Sequence, residues 1–139
     1  MWANTSNSIM RKLQSCQNYA CRIISGAKKY DHISLLLKES NWLAVEKLIY
    51  LRSTTLVFKC MSGSAPDYLT SKFTQRFNIS GRETRNSQSL DIPLFKLASG
   101  QRSFYHRTVK IWNSLDNEFK LSKDVLSFKR KFKARHRNL

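Results

Sequence analysis

The sequence predicts a mainly α-helical domain of about five to six helices, with a long central loop and room for one short β-strand pair. Three observations lead to this fold class. Apolar residues recur at steps of three and four over residues 7–24 and 44–62, which is the spacing of one helical face. Isolated glycines follow both stretches, where helices commonly end. Residues 74–100, by contrast, are polar and show little helical periodicity.

The first helix is predicted from about Asn7 to Ile24, and Gly26 is placed to end it. Its apolar face consists of Ile9, Leu13, Cys16, Ala20, Ile23 and Ile24. Asp31 is placed to cap a short second helix, because an aspartate at that position accepts hydrogen bonds from free backbone N–H groups.

The third helix is predicted to be the longest, from about Ala44 to Ser62, with Gly63 as its C-terminal cap. Its predicted apolar stripe runs through Val45, Leu48, Ile49, Arg52, Leu56 and Cys60, and Leu51 and Val57 widen it. Pro66 suits the first turn of a short helix that reaches Phe73, because its missing N–H is not needed there.

The C-terminal half is predicted as a loop and two helices. The loop has one candidate strand at Ser89–Ile92, which ends at Pro93. Ser122 is a candidate N-cap of the last helix. The two helix faces are Phe104, Thr108, Ile111, Trp112 and Leu115, and Leu121, Val125, Phe128 and Phe132. We expect one domain or fragment with three parts: N-terminal helices (1–73), polar loop (74–100), and C-terminal helices with a basic tail (101–139).

The chain is strongly basic. Its 139 residues include 25 Lys plus Arg against nine Asp plus Glu, a formal net charge of +16. Such an excess implies an anionic partner, and RNA or DNA is the expected one, or it implies a missing neighbouring domain.

Cysteine usage and hydropathy predict an intracellular protein, in the nucleus or the cytoplasm and not secreted. The three cysteines are odd in number and sparse, and the polar N-terminus lacks the apolar stretch of a signal peptide. No apolar run approaches the roughly 20 residues that span a bilayer, so no membrane association is expected.

Catalytic groups are not expected. Polymerase chemistry needs carboxylates that hold divalent metal ions, and the five aspartates are never adjacent. The three histidines lie far apart, and Cys16 and Cys21 are better interpreted as small core residues than as zinc ligands. We therefore predict no enzyme activity, no catalytic or metal-binding residue, no cofactor and no small-molecule substrate.

The strongest candidate site is the basic C-terminal helix. From residue 120 onward, eight Lys and Arg are opposed only by Asp124. The residues predicted to contact a phosphate backbone are Lys123, Lys129, Arg130, Lys133 and Arg137. The alternative is a solvated face that only keeps the protein soluble.

Aromatic residues allow a second kind of contact with nucleic acid. Arg76, Arg82 and Arg85 surround Phe77 in the central loop, a combination that can bind single strands by charge and stacking. A polar loop without that role is an equal alternative. Trp42 and Trp112 lie on apolar faces, and we assign both to packing rather than to base stacking.

Seven short motifs follow one another along the chain. They are Leu13-Gln14-Ser15-Cys16-Gln17-Asn18-Tyr19-Ala20-Cys21-Arg22-Ile23-Ile24, Lys29-Tyr30-Asp31-His32-Ile33, Trp42-Leu43-Ala44-Val45, Ala65-Pro66-Asp67-Tyr68-Leu69, Gly100-Gln101-Arg102-Ser103-Phe104, Trp112-Asn113-Ser114-Leu115 and Ser127-Phe128-Lys129-Arg130-Lys131-Phe132. In order and spacing they resemble the region after the polymerase domain in non-LTR (LINE-type) retrotransposon reverse transcriptases. The resemblance covers nearly the whole chain, from about Trp2.

The resemblance implies a multidomain RNA-directed DNA polymerase of a transposable element, with an endonuclease that nicks the DNA into which its RNA is copied. This region would guide template or primer, or hold the domains together. No catalytic residue carries over, because the family's Tyr/Phe-Ala-Asp-Asp motif lies outside the matching region. Ala44 and Asp116 stand where many relatives have proline, as a decayed copy or a divergent lineage would show.

We therefore expect a non-catalytic C-terminal fragment of a retrotransposon reverse transcriptase that binds RNA or DNA backbone through a basic helix. Its further partner would be the remainder of the parent polymerase, where that is encoded. Two alternatives stay open: a structural packing module of the parent polymerase, and an inert pseudogene-like product without present function.

Overall fold

The computed structural model describes residues 6–81 and 88–137, with side chains through residue 136, and 66% of these residues are helical. This confirms the predicted mainly α-helical class. The described helices are α1 (Asn7–Ser25), α2 (Ile33–Glu39), α3 (Val45–Met61), α4 (Asp67–Thr70), α5 (Arg76–Ser80), α6 (Ala98–Gln101), α7 (Phe104–Asn113), α8 (Asn117–Lys120) and α9 (Val125–Arg137). Four of the nine have only four or five residues, too few for a periodic pattern, which explains why the predicted number is lower.

The central helix is α3, which packs against α1, α4, α7 and α9. Its buried residues are Leu51, Ser53, Thr54, Thr55, Val57, Phe58 and Cys60. The predicted stripe is confirmed at Cys60 and at Leu51 and Val57, which widen it, and is wrong at Arg52, which is exposed. The buried set surrounds the helix because neighbours cover several sides. The hydroxyls of Thr54 and Thr55 bond to the carbonyls of Tyr50 and Leu51, at 2.9 and 2.6 Å, which satisfies them in the core.

Aromatic rings of α9 fill the space beside α3. Phe128 and Phe132 are fully buried. The Phe128 ring lies 5.0 Å from Phe58 and 6.4 Å from Trp112, measured between centroids. Trp112 is thus a core residue, as predicted, whereas Trp42 remains 37% exposed and does not fit that prediction. These ring contacts fix α9 against the body of the domain.

Two of the predicted helix ends are confirmed. Gly26 and Gly63 both have positive φ, and the backbone N–H groups that follow them, on Ala27 and Ser64, bond back to the last turns of α1 and α3. The predicted cap at Asp31 is wrong. Its carboxylate instead accepts a 2.6 Å hydrogen bond from the Lys28 backbone N–H, which closes the preceding turn, and His32 stands at the N-cap of α2.

The predicted central loop is more ordered than its composition indicates. It contains α5 and α6, and the candidate strand at Ser89–Ile92 reduces to one antiparallel bridge between Gln75 and Leu90. No strand longer than this bridge occurs in the described ranges. Leu90 is fully buried, so the segment is anchored in the core.

Helix α1 docks through a polar face. The backbone N–H of Val45 donates to Gln14 Oε1 (2.8 Å), and Gln17 Nε2 donates to the carbonyl of Leu43 (2.9 Å). Cys21 is buried, as predicted, but Cys16 is exposed, which corrects its assignment to the core. The apolar face of α1 therefore lies beside the docked face rather than against the domain.

Candidate nucleic-acid interface

The basic helix α9 begins at a side-chain cap. The Asp124 carboxylate accepts a 2.6 Å hydrogen bond from the Ser127 backbone N–H, while the Asp124 carbonyl accepts from Phe128. The predicted cap at Ser122 is wrong, because the helix starts at Val125 and the aspartate is correctly spaced for the N-cap bond. The buried rings of Phe128 and Phe132 then determine which side of α9 faces the core.

Three of the predicted phosphate-binding residues lie together on the outer side of α9. Lys129 and Lys133 are one turn apart, and Arg130 is three residues before Lys133, so the three side chains leave neighbouring positions on the helix surface. Arg130 and Lys133 are exposed and Lys129 is half-buried. We call these three residues the outer basic face.

The other two predicted residues are less closely placed. Lys123 is exposed in the turn that precedes α9. The backbone of Arg137 ends the helix, and its side chain lies outside the described part of the chain. The structure thus brings Lys129, Arg130 and Lys133 together and places Lys123 just before the helix. The contribution of the Arg137 side chain stays a prediction.

A second group of α9 cations turns towards α8 instead. Arg135 forms an ion pair with Asp116 (2.7 Å) and lies over the Phe119 ring, 5.6 Å from its centroid. Lys131 Nζ donates to the carbonyl of Glu118 at 3.4 Å. These two residues connect α9 to α8, so α9 has one basic edge that contacts α8 and a separate outer basic face.

Lys120 belongs to the structural side as well. Its ammonium donates to the carbonyl of Asn113 at 3.4 Å. Burial lowers the pKa of Lys120, and the negative charge of Asp116 acts in the opposite direction. Because its ammonium bonds to Asn113, Lys120 does not belong to the outer basic face.

The predicted site in the central loop is only partly described. Arg76 is half-buried at the start of α5, and the Phe77 ring is 46% exposed. Arg82 and Arg85 lie outside the described residues, so their place relative to Phe77 stays a prediction.

A groove of about 620 Å³ lies between α1, the beginning of α3 and α7, and the sequence patterns did not indicate it. Its walls are mostly apolar, with the cationic side chains of Arg11 and Arg107 and the carboxylate of Glu46. Burial lowers the pKa of Arg107. The groove is formed by three helices distant in sequence, which explains why no local motif marks it.

Metal-binding side chains do not converge in the residues that the structure describes: no three of His, Cys, Asp or Glu lie close enough to hold an ion. Three of the five aspartates make side-chain contacts that serve the fold. Asp31 closes a turn, Asp116 pairs with Arg135, and Asp124 caps α9. Among the described helices, none is both long enough and apolar enough to traverse a bilayer.

Comparisons of the chain with models of known protein families, with curated proteins and with solved structures found no match. The chain is a small helical domain with an aromatic core, and it exposes a basic face on its last helix.

Proposed function

We propose that this protein binds the phosphate backbone of RNA or DNA through the outer basic face of α9. The observation that carries the proposal is the division of the α9 cations. Arg135 and Lys131 contact α8, whereas Lys129, Arg130 and Lys133 form no ion pair within the described part of the chain. Cations on one side of one helix that have no ion-pair partner among the described residues suit a polyanion.

The orientation of α9 favours this use. Phe128 and Phe132 are fully buried, so they determine which side of the helix faces outward. Lys129 and Lys133 therefore keep a spacing of about 6 Å along the axis, from a rise of 1.5 Å per residue. Contacts of this kind recognise backbone charge and carry little sequence information.

The wider setting of the proposal is a non-catalytic fragment from the C-terminal region of a retrotransposon reverse transcriptase, present in the nucleus or the cytoplasm. The order and spacing of the seven motifs support this origin. Basic side chains beside a polymerase would hold the template or the primer, and the remainder of the parent polymerase would be the natural protein partner.

The test compares two triple variants that remove the same charge. Lys129→Gln/Arg130→Gln/Lys133→Gln removes the outer basic face, and Lys28→Gln/Lys29→Gln/Lys38→Gln removes three exposed cations around α1 and α2. Fluorescence anisotropy with a labelled single-stranded RNA and a duplex DNA gives both affinities. We expect at least a tenfold larger loss for the α9 variant. Equal losses, or no binding by the wild-type protein, would contradict the proposal.

A further inference from the structure

The groove between α1, α3 and α7 can hold a small aromatic group. Its volume is about 620 Å³, within the roughly 300–1,000 Å³ of sites that bind small organic ligands. Its apolar walls come from Met10, Val45, Ile49 and Ile111, and the Tyr50 ring adds an aromatic surface. Walls of this kind suit the flat face of a nucleic-acid base, which packs on apolar and aromatic side chains.

Two hydrogen bonds join the three helices that form the groove. Gln14 Oε1 accepts from the Val45 backbone N–H at 2.8 Å, which connects α1 to the start of α3. The Tyr50 hydroxyl donates to the Ile111 carbonyl at 3.5 Å, which connects α3 to α7. The groove is therefore formed before a ligand binds, as is usual for sites of this size.

The charged side chains of the groove favour an anionic ligand. Two guanidinium groups, of Arg11 and Arg107, and one carboxylate, of Glu46, line it, so the described walls carry a net positive charge. Arg107 is half-buried, and this burial lowers its pKa. An anion in the groove would stabilise the charged form of that side chain. A base with its attached phosphate matches both the apolar walls and the charge.

The groove lies beside the C-terminal end of α9. The Tyr50 ring stacks on Phe132, with the centroids 5.5 Å apart, and lies 6.2 Å from the His136 ring. His136 follows Lys133 by about one helical turn. Tyr50 and His136 therefore connect the groove with the outer basic face, so one bound strand can contact both surfaces.

We propose that the groove binds one unstacked nucleotide of a single strand whose neighbouring phosphates lie on the outer basic face. The base packs against the apolar walls and Tyr50. Its phosphate pairs with Arg11, which is exposed at the edge of the groove. The inference rests on the proposed function, because the α9 cations must hold the same strand.

A duplex cannot use the groove in this way. Its bases are paired and stacked, and one of them enters a side pocket only after it leaves the stack, at a cost in free energy. A single strand already presents the faces of its bases. The backbone of a duplex still reaches the outer basic face, because phosphate contacts need no unstacked base. The groove therefore adds affinity for single strands alone.

Fluorescence anisotropy of the full chain, with a single-stranded RNA and with the duplex of the same sequence, tests this selectivity. We expect Arg11→Gln to weaken single-strand binding at least about fivefold and duplex binding less than about twofold. Lys12→Gln is the matched control. It removes the same charge from the neighbouring exposed position of α1, outside the groove lining, and should weaken either ligand less than about twofold.

Two outcomes would overturn the inference. One is an equal loss of single-strand affinity in the Arg11→Gln and Lys12→Gln variants. The other is an equal loss of single-strand and duplex affinity in the Arg11→Gln variant. The proposed function would survive either result if replacing the outer basic face still weakens both ligands. No binding by the wild-type protein would overturn the proposed function and this inference together.

Photo-cross-linking locates the base directly. A single strand that carries thiouridine, irradiated in complex with the wild-type protein, should give adducts on Met10 or Tyr50 after digestion and mass spectrometry. The Arg11→Gln variant should give fewer of these adducts. Adducts confined to α9, or to the exposed ring of Phe77 on α5, would contradict the placement of a nucleotide in the groove.

Discussion

Asn113 and Leu90 are joined by two hydrogen bonds, although 23 residues separate them. The Leu90 backbone N–H donates to Asn113 Oδ1, and Asn113 Nδ2 donates to the Leu90 carbonyl, both at 2.9 Å. The side-chain amide occupies the place that a neighbouring strand would take, since one carbonyl and one amino group match both backbone groups. The central segment is thereby fastened to the end of α7 while the Leu90 side chain is buried.

Asn113→Ala should destabilise the domain. Removal of the amide leaves the N–H and the carbonyl of Leu90 without these partners, and an unsatisfied buried polar group costs about 1–3 kcal/mol. We expect a loss of about 2–4 kcal/mol in urea unfolding. Ser114→Ala is the matched control, because its exposed hydroxyl makes only a local bond to the Ile111 carbonyl. A loss no larger than that of the control would show that the two hydrogen bonds do not stabilise the folded domain.

Trp112→Ala should also act on stability. Trp112 is buried beside Phe128, so truncation leaves a cavity and should lower the free energy of unfolding by about 3–5 kcal/mol. The rival assignment makes Trp112 a stacking surface for a base, whose loss would reduce binding and leave the melting temperature nearly unchanged. Thermal unfolding and oligonucleotide affinity, measured on the same variant, distinguish the two roles.

Gly100→Ala should create a clash. A Cβ at Gly100 would lie 2.7–2.8 Å from the Cβ, Cγ and Cδ1 atoms of Phe95, closer than such atoms approach. Overpacking of this kind costs about 1–3 kcal/mol. Ser99→Ala, at the neighbouring exposed position, should have little effect. Phe95→Gly, which also removes the Cβ at 2.8 Å, should remove the penalty of Gly100→Ala in the double variant. Additive losses would show that Phe95 is not the obstructing group.

Stability should fall with rising pH above pH 9. Burial raises the pKa of the Cys60 thiol from 9.0, so the unfolded chain loses this proton at a lower pH than the folded protein. The folded state then holds more protons, and its stability decreases as the pH rises through this range. Urea unfolding between pH 8 and pH 10.5 should show a smaller decrease in the free energy of unfolding for Cys60→Ala than for the wild-type protein. Cys16→Ala, at an exposed thiol, should retain the wild-type decrease.

Local features of the fold were predictable from the sequence. The ends of α1 and α3 follow from Gly26 and Gly63, because a glycine that adopts positive φ ends a helix by local geometry alone. The burial of Trp112, Phe128 and Phe132 also follows from their helical spacing.

Features that depend on distant residues were not predictable. The two hydrogen bonds between Asn113 and Leu90 form only because the central segment packs against the end of α7. The exposure of Ile9, Cys16, Ile23 and Ile24 on α1 could not be predicted either, because the helix docks through Gln14 and Gln17. A pattern of apolar residues identifies a face, but it does not identify what covers that face.

The candidate site also combines features that local sequence predicts with features that depend on distant residues. The periodicity of Lys129, Arg130 and Lys133 was sufficient to place them on one side of α9. The engagement of Arg135 with Asp116 requires the position of α8, which no spacing in the sequence reveals. The groove beside Arg107 was missed for the same reason.

The salt dependence of RNA binding tests the central claim most directly. Each phosphate contact releases counterions, and for single strands the slope of log affinity against log salt is about −0.7 per contact. Replacing Lys129, Arg130 and Lys133 by Gln should reduce the steepness of that slope by about 2, which corresponds to three lost contacts. The Lys28/Lys29/Lys38 variant should keep the wild-type slope. An unchanged slope in the α9 variant would show that this helix is not the binding face.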